Sequence, residues 1–120
     1  YHPEKTPKKA YVTKTLEKQD GPFIISTDYM KNYSEQLRRY IPGDYHVLGT
    51  DGFGRSDTRE KLRHFFEVDR KFVTLAALAK LAEKQVVSTQ DVKQAREQLD
   101  IDAAKSNPRS FDSASNGPYC

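Results

Sequence analysis

The sequence has no tryptophan, a single cysteine and no long apolar run. Cys120 is the last residue, so no disulfide can form within the chain, and no Cys/His framework typical of bound zinc is present. We therefore predict a reducing compartment, the cytoplasm. The most apolar stretch, residues 72–82, contains Lys80 and is shorter than the roughly 18 to 20 residues that a membrane-spanning helix needs. These absences exclude a transmembrane role.

The charge has no dominant sign. The chain has 20 basic and 17 acidic residues, interleaved along most of its length, with a net charge of +3. A small excess without a basic stripe argues against nucleic acid as a partner. A length of 120 residues fits one domain, and 36% hydrophobic residues allow a modest core. The chain opens Tyr1-His2-Pro3 without a Met or a signal peptide, and we expect it to be part of a longer protein.

The first half of the chain predicts a parallel βαβ unit. Residues 1–21 are rich in Lys and predict an extended lead-in with a short strand near 11–16. A short apolar run then predicts a strand over 22–27, and apolar spacing predicts one helix from Met30 to Ile41. A second apolar run, Tyr45 to Leu48, predicts the next strand. Strand, helix and strand within about 28 residues indicate a right-handed parallel connection.

The second half predicts helices. Asp57 followed by Glu60 has capping-box spacing and predicts a helix over about 58–66. Asp69 predicts the cap of a longer helix, and Ser88 with Asp91 predicts another capping box. We expect the last two helices to pair and to cover one face of the sheet, which makes residues 22–104 an α/β domain segment. Residues 105–120 are mostly Ser, Asn, Pro and Gly, and they predict a disordered tail.

Candidate site residues follow the two predicted strands, because ligands of open parallel sheets bind beyond the carboxyl ends of the strands. Two interpretations of the loop over residues 49–57 stay open. It could hold an anion, with glycines allowing close approach and Arg55 supplying charge, or it could be a tight turn that contacts another domain or subunit. The candidate residues are Asp28, Asp51, Gly52, Gly54, Arg55 and Ser56.

No residue is predicted to be catalytic. His2, His46 and His64 share no spacing that would bind a metal, and we interpret each as structural. No Ser lies in a Gly-x-Ser-x-Gly turn, and Cys120 lacks the basic surroundings that would lower its pKa. We therefore assign no catalytic, cofactor-binding or metal-binding residue to this chain.

Several stretches together resemble one enzyme family. They are Ser26-Thr27-Asp28-Tyr29-Met30-Lys31, Tyr40-Ile41-Pro42, and above all the run over residues 48–69, LGTDGFGRSDTREKLRHFFEVD. They are similar to the homodimeric pyruvate dehydrogenase first component of bacteria, which depends on thiamine diphosphate. The resemblance covers about residues 1–109. A more distant similarity of Asp51-x-Phe53-Gly54-x-Ser56 to transketolases points to the same superfamily.

The resemblance implies the later part of a transketolase-like C-terminal domain, a three-layer α/β fold that is incomplete at its N-terminal side. In this family, thiamine diphosphate and magnesium are held between other domains across the dimer, so the chain is expected to bind neither. The family's reaction decarboxylates pyruvate and transfers acetyl to lipoyl groups. The implied partners are the rest of the same chain, its dimer mate and the lipoyl acetyltransferase. The implied role of this segment is structural and dimer-supporting.

Overall fold

A computed structural model describes residues 2–110. Within this range, five α-helices, one 3-10 turn and two strands follow one another in chain order. They are α1 Tyr11–Leu16, β1 Phe23–Ser26, α2 Lys31–Glu35, the 3-10 turn Arg38–Tyr40, β2 Tyr45–Leu48, α3 Arg59–Phe65, α4 Arg70–Glu83 and α5 Thr89–Gln98.

The two strands form the predicted parallel pair. Phe23 pairs with Tyr45 and Ser26 with Leu48, and the second strand has the predicted bounds. Side chains alternate between the two faces of a sheet, and Tyr45 and Ser26 lie on opposite faces. Each of them bonds to a different helical segment. The Tyr45 hydroxyl donates to the Ser34 carbonyl of α2 at 2.9 Å, whereas Ser26 donates to the Val68 carbonyl before α4 at 2.7 Å. This confirms the α/β layering.

The core of the described part is small, and most of it comes from β2. Its buried apolar residues are Tyr45, Val47, Leu48, Val68 and Ile101. By contrast, β1 is only half-buried. Within the described range the sheet has only these two strands, so the hydrogen-bonding groups on its outer edges have no strand partner there.

Two predicted elements are wrong. The strand expected near 11–16 is the helix α1, which places Val12 and Leu16 on one half-buried side and is held by a hydrogen bond from Thr13 Oγ1 to the Tyr40 carbonyl at 2.6 Å. The helix expected from Met30 to Ile41 stops at Glu35 and continues as a turn.

The later helices were predicted more closely. Asp69 caps α4 by accepting from the Phe72 amide at 3.0 Å, and Ser88 with Asp91 forms the predicted capping box of α5. In α3 the predicted cap is wrong by one residue. Thr58 accepts from the Lys61 amide, while Asp57 accepts from the Thr58 amide. The helix therefore begins at Arg59.

Three helices end in the same way without glycine. Glu67, Gln85 and Asp100 have φ between 53° and 62°, just after α3, α4 and α5. In each case the next residue's amide bonds back to a carbonyl five residues earlier, which satisfies the helix end. Two of those next residues, Val68 and Ile101, belong to the core. Burial of the following side chain therefore accompanies the left-handed conformation at those two ends.

The chain after α5 returns to the body. Lys105 Nζ bonds Glu67 at 3.0 Å and lies 5.2 Å from the centre of the Phe65 ring. The predicted disordered tail from 105 thus begins on residues that contact the domain, and residues 111–120 lie outside the described part. The division of the chain into lead-in, domain segment and tail stays a prediction.

Candidate functional site

The carboxyl ends of the two strands are tied together, as predicted. The Thr27 amide donates to the Leu48 carbonyl at 3.0 Å, and the Thr50 amide donates to the Tyr29 carbonyl at 3.0 Å. Thr50 Oγ1 adds a bond to the Asp28 carbonyl at 3.2 Å. These bonds bring Asp28 beside the start of the 49–57 loop, so the two groups of candidate residues meet at one edge of the sheet.

Asp51 and two glycines make this junction tight. Asp51 Oδ1 accepts from the Lys31 amide at 3.0 Å and so supplies the acceptor at the start of α2. Gly52 has φ of +123°, and a Cβ there would overlap the Pro108 carbonyl. A Cβ on Gly49 would lie 2.8 Å from the Tyr29 carbonyl oxygen. The positive φ of Gly52 agrees with the tight-turn interpretation, whereas Gly49 allows a close backbone approach and Asp51 bonds to another segment.

Arg55 packs on an aromatic ring. Its guanidinium lies 4.2 Å from the centre of the Phe65 ring, which is a cation–π contact. A Cβ added at Gly54 would have no neighbour within 4 Å, and Ser56 is exposed. Four of the six candidate residues line a cleft of about 510 Å³: Asp28, Gly52, Gly54 and Arg55. Asp51 and Ser56 do not line it. Their role in binding stays a prediction.

Asp28 forms a two-pronged ion pair with Arg63 of α3. Arg63 Nη2 donates to Oδ2 at 2.6 Å and Nε donates to Oδ1 at 3.2 Å. This hydrogen bonding lowers the pKa of Asp28 and raises the pKa of Arg63. The two residues are 35 positions apart, so no local spacing could have revealed the pair. Asp28 is thus neutralised within the chain.

A larger cleft of about 890 Å³ lies on the other side of this ion pair. It opens between the end of β1 and the starts of α3 and α4. Its lining contains four cations and three carboxylates, together with Ser26, Thr27 and Val68; the charged residues are Asp28, Arg59, Glu60, Arg63, Asp69, Arg70 and Lys71. No spacing in the sequence marks Arg70 or Lys71 as site residues.

Two of the histidines, His46 and His64, are half-buried in the domain. His64 Nδ1 lies 2.9 Å from Asp69 Oδ2, and its ring packs 5.2 Å from that of Phe72. Burial lowers the pKa of His46, with a smaller contribution from Lys80. Across residues 2–110, no group of three or more His, Cys, Asp or Glu side chains is arranged to hold a metal ion. No helix in this range is both long and apolar enough to cross a membrane.

Comparison with known proteins identifies the fold. Residues 4–69 match the model of the transketolase-like TK C-terminal domain. The pyruvate dehydrogenase E1 component of Cupriavidus necator is 53% identical over 109 residues, which are 91% of this chain and 12% of the relative. That of Pseudomonas aeruginosa is 53% identical over 108 residues, covering 89% of the chain and 12% of the relative. That of Escherichia coli (strain K12) is 50% identical over 109 residues, with 90% and 12% covered.

The matched part lies in the C-terminal region of these enzymes, and the chain spans about one-eighth of their length. The family model covers more than half of the chain, and the parallel βαβ unit with helices on both faces agrees with it. The chain therefore belongs to the family of transketolase-like C-terminal domains.

Proposed function

We propose that this chain is the C-terminal segment of a pyruvate dehydrogenase first component and that its own task is structural. The observation that supports this most strongly is about 50% identity to such enzymes over nine-tenths of the chain. The whole enzyme would decarboxylate pyruvate oxidatively and transfer acetyl to a lipoyl group. Its proposed partners are the remainder of the polypeptide, the dimer mate and the lipoyl acetyltransferase, and its proposed location is the cytoplasm.

Two engaged carboxylates favour a cofactor site elsewhere in the enzyme. Magnesium on a diphosphate usually takes one or two protein carboxylates, and the Asp28 carboxylate at the strand ends is already paired with Arg63. Asp51, within Gly49-Thr50-Asp51-Gly52, already accepts from the Lys31 amide. We therefore place thiamine diphosphate and magnesium outside this segment and derive no catalytic step from it.

Four apolar side chains favour a supporting role. Tyr29, Met30, Tyr33 and Leu37 are between 42% and 64% exposed, and they lie on or beside α2. Tyr29 and Tyr33 pack edge to face with ring centres 5.7 Å apart. Neighbouring exposed apolar side chains of this size mark contact surfaces. We assign this α2 face to contact with the rest of the enzyme or its dimer mate.

The catalytic part of this proposal is tested on the purified chain. We expect no decarboxylation of pyruvate with thiamine diphosphate and magnesium, and no rise in melting temperature when the cofactor is added. Turnover, or stabilisation by the cofactor, would contradict the proposal.

The structural part is tested in the intact enzyme. Tyr33→Ser with Leu37→Ser should weaken the dimer or the enzyme's stability in sedimentation and thermal melts. Val86→Ser is the matched control, because Val86 is also apolar and exposed but lies after α4. Equal effects of the two changes would remove the special role of the α2 face.

The alternative function, an autonomous module that holds an anion on the 49–57 loop, has less support. Arg55 lies on Phe65, and Asp51 and Asp57 add negative charge to the loop. This alternative function predicts that Arg55→Ala weakens the binding of inorganic phosphate. Unchanged binding would leave the structural proposal in place.

A further inference from the structure

The larger cleft has the position and size of a ligand site. It lies beyond the carboxyl end of β1, where open parallel sheets bind their ligands, and its volume of about 890 Å³ is within the range of small-molecule sites. Ser26 and Thr27 lie at its inner end, while Arg59, Arg70 and Lys71 approach from two helices.

The charges around this cleft are unevenly compensated. Asp28 is held by Arg63, and Asp69 is occupied by the Phe72 amide and His64. Arg59, Arg70 and Lys71 form no ion pair with any residue between 2 and 110. Glu60 is the remaining carboxylate. With four cations against three carboxylates, the cleft carries a small excess of positive charge.

Two of these cations occupy unfavourable positions. Arg70 and Lys71 are the first two residues of α4, beside the positive end of the helix dipole, and the first turn contains no acidic residue. Each such cation costs a fraction of a kcal/mol relative to a neutral side chain. Local conflicts of this kind concentrate at functional sites. The Asp69 carboxylate at the N-cap offsets part of this charge, and a bound anion would offset more of it.

We propose that this cleft binds the phosphate group of a small metabolite, with Arg59, Arg70 and Lys71 as its ligands. Guanidinium groups match phosphate oxygens in two-pronged geometry, and several cations suit a doubly charged group better than a single carboxylate. The Asp28–Arg63 pair forms the wall of the cleft. The volume leaves room for the rest of the metabolite beside the phosphate. This proposal concerns binding and stands independently of the structural role proposed above.

The test measures binding of inorganic phosphate to the intact protein by calorimetry at constant ionic strength. The double variant Arg70→Gln/Lys71→Gln should weaken binding about tenfold or more, because it removes two charge-assisted hydrogen bonds. The control Lys84→Gln/Lys93→Gln removes the same charge from exposed positions after α4 and in α5, and should change binding by less than about twofold.

A variant of opposite sign sharpens the test. Glu60→Gln removes a carboxylate from the cleft and should tighten phosphate binding, whereas its effect on folding should be small because Glu60 is exposed. Three results would overturn the proposal: no phosphate binding, equal weakening by both double variants, or loss of binding in Arg55→Ala alone, which would move the anion to the 49–57 loop.

Discussion

The segments over residues 31–40 and 70–83 both have apolar residues at helical spacing, but they fold differently. Residues 70–83 form a continuous helix of 14 residues, whereas residues 31–40 split into a helix of five residues and a 3-10 turn. Asp69 caps α4 from the adjacent position. Met30 gives α2 no side-chain cap, and the acceptor for its first amide comes from Asp51, twenty residues later.

Apolar spacing gives both segments an apolar face, whereas only α4 has a side-chain cap from its own N-cap residue. A short helix is marginal without tertiary contacts. The α2 helix depends on the junction between residues 28–31 and 49–51, and its apolar face remains exposed. The α4 helix packs against both β1 and α5. α2 is thus held by a distant residue, whereas α4 is held from its own N-cap.

Gly49→Ala is expected to have the largest effect. The added Cβ would lie 2.8 Å from both the Lys31 amide nitrogen and the Tyr29 carbonyl oxygen, and these are backbone atoms at the entrance to α2. We expect the free energy of unfolding, measured in urea, to fall by about 3 kcal/mol. Gly54→Ala is the control, since nothing lies within 4 Å of its Cβ position, and it should change stability by less than about 0.5 kcal/mol. Equal effects would mean that the junction yields easily.

Asp69→Ala is expected to be the next largest. It removes the cap of α4 and the partner of His64, and should lower the free energy of unfolding by about 2 kcal/mol. Asp69→Asn keeps a side-chain acceptor and should restore most of the loss. If the asparagine variant were as unstable as the alanine variant, the charge on Asp69 would matter more than the cap.

Asp51→Ala tests the distant support of α2. Loss of the acceptor for the Lys31 amide should lower the free energy of unfolding by about 1 kcal/mol and speed hydrogen exchange of that amide. Exchange at the start of α4 should not change. Asp51→Asn retains an acceptor and is the matched variant. Unaltered exchange at Lys31 in the alanine variant would show that α2 forms without help from the loop.

The smallest effect concerns pH. The hydrogen bond from Arg63 lowers the pKa of Asp28 in the folded protein. Its stabilising contribution is therefore complete above the unfolded pKa of about 3.9 and is lost as pH falls through the lower folded pKa. The stability difference between the wild type and Asp28→Asn should shrink as the pH falls below about 4. Both side chains are substantially exposed, so the difference is small. Arg63→Gln should remove the same pH dependence.

Local signals predicted one strand and the caps of the last two helices. The bounds of β2, the Asp69 cap and the Ser88 capping box were all predicted from spacing, and the structure confirms them. The helix ends at Glu67 and Gln85 carried no glycine and could not be recognised in this way. There the left-handed conformation is stabilised by hydrogen bonds to earlier carbonyls, which sequence does not display.

The position of the candidate residues at one edge of the sheet was predicted but their contacts were not, and their role in binding stays a prediction. The rule for parallel sheets brought Asp28 and the 49–57 loop to one edge, and the structure joins them through Thr50. The partner of Asp28 is Arg63, and the partner of Arg55 is the Phe65 ring. Arg63 and Phe65 both lie on α3, so both contacts depend on where tertiary packing places that helix relative to the sheet.

The sequence by itself determined the strand pair, the caps of the last two helices and, through its resemblance, the family, because these depend on neighbouring residues or on a long specific motif. Tertiary structure decided the break in the 31–40 segment, the pairing of Asp28 with Arg63 and the gathering of cations around one cleft. The physical reason is that hydrogen bonds and charges act over a few ångströms of space, whatever number of residues separates the groups along the chain.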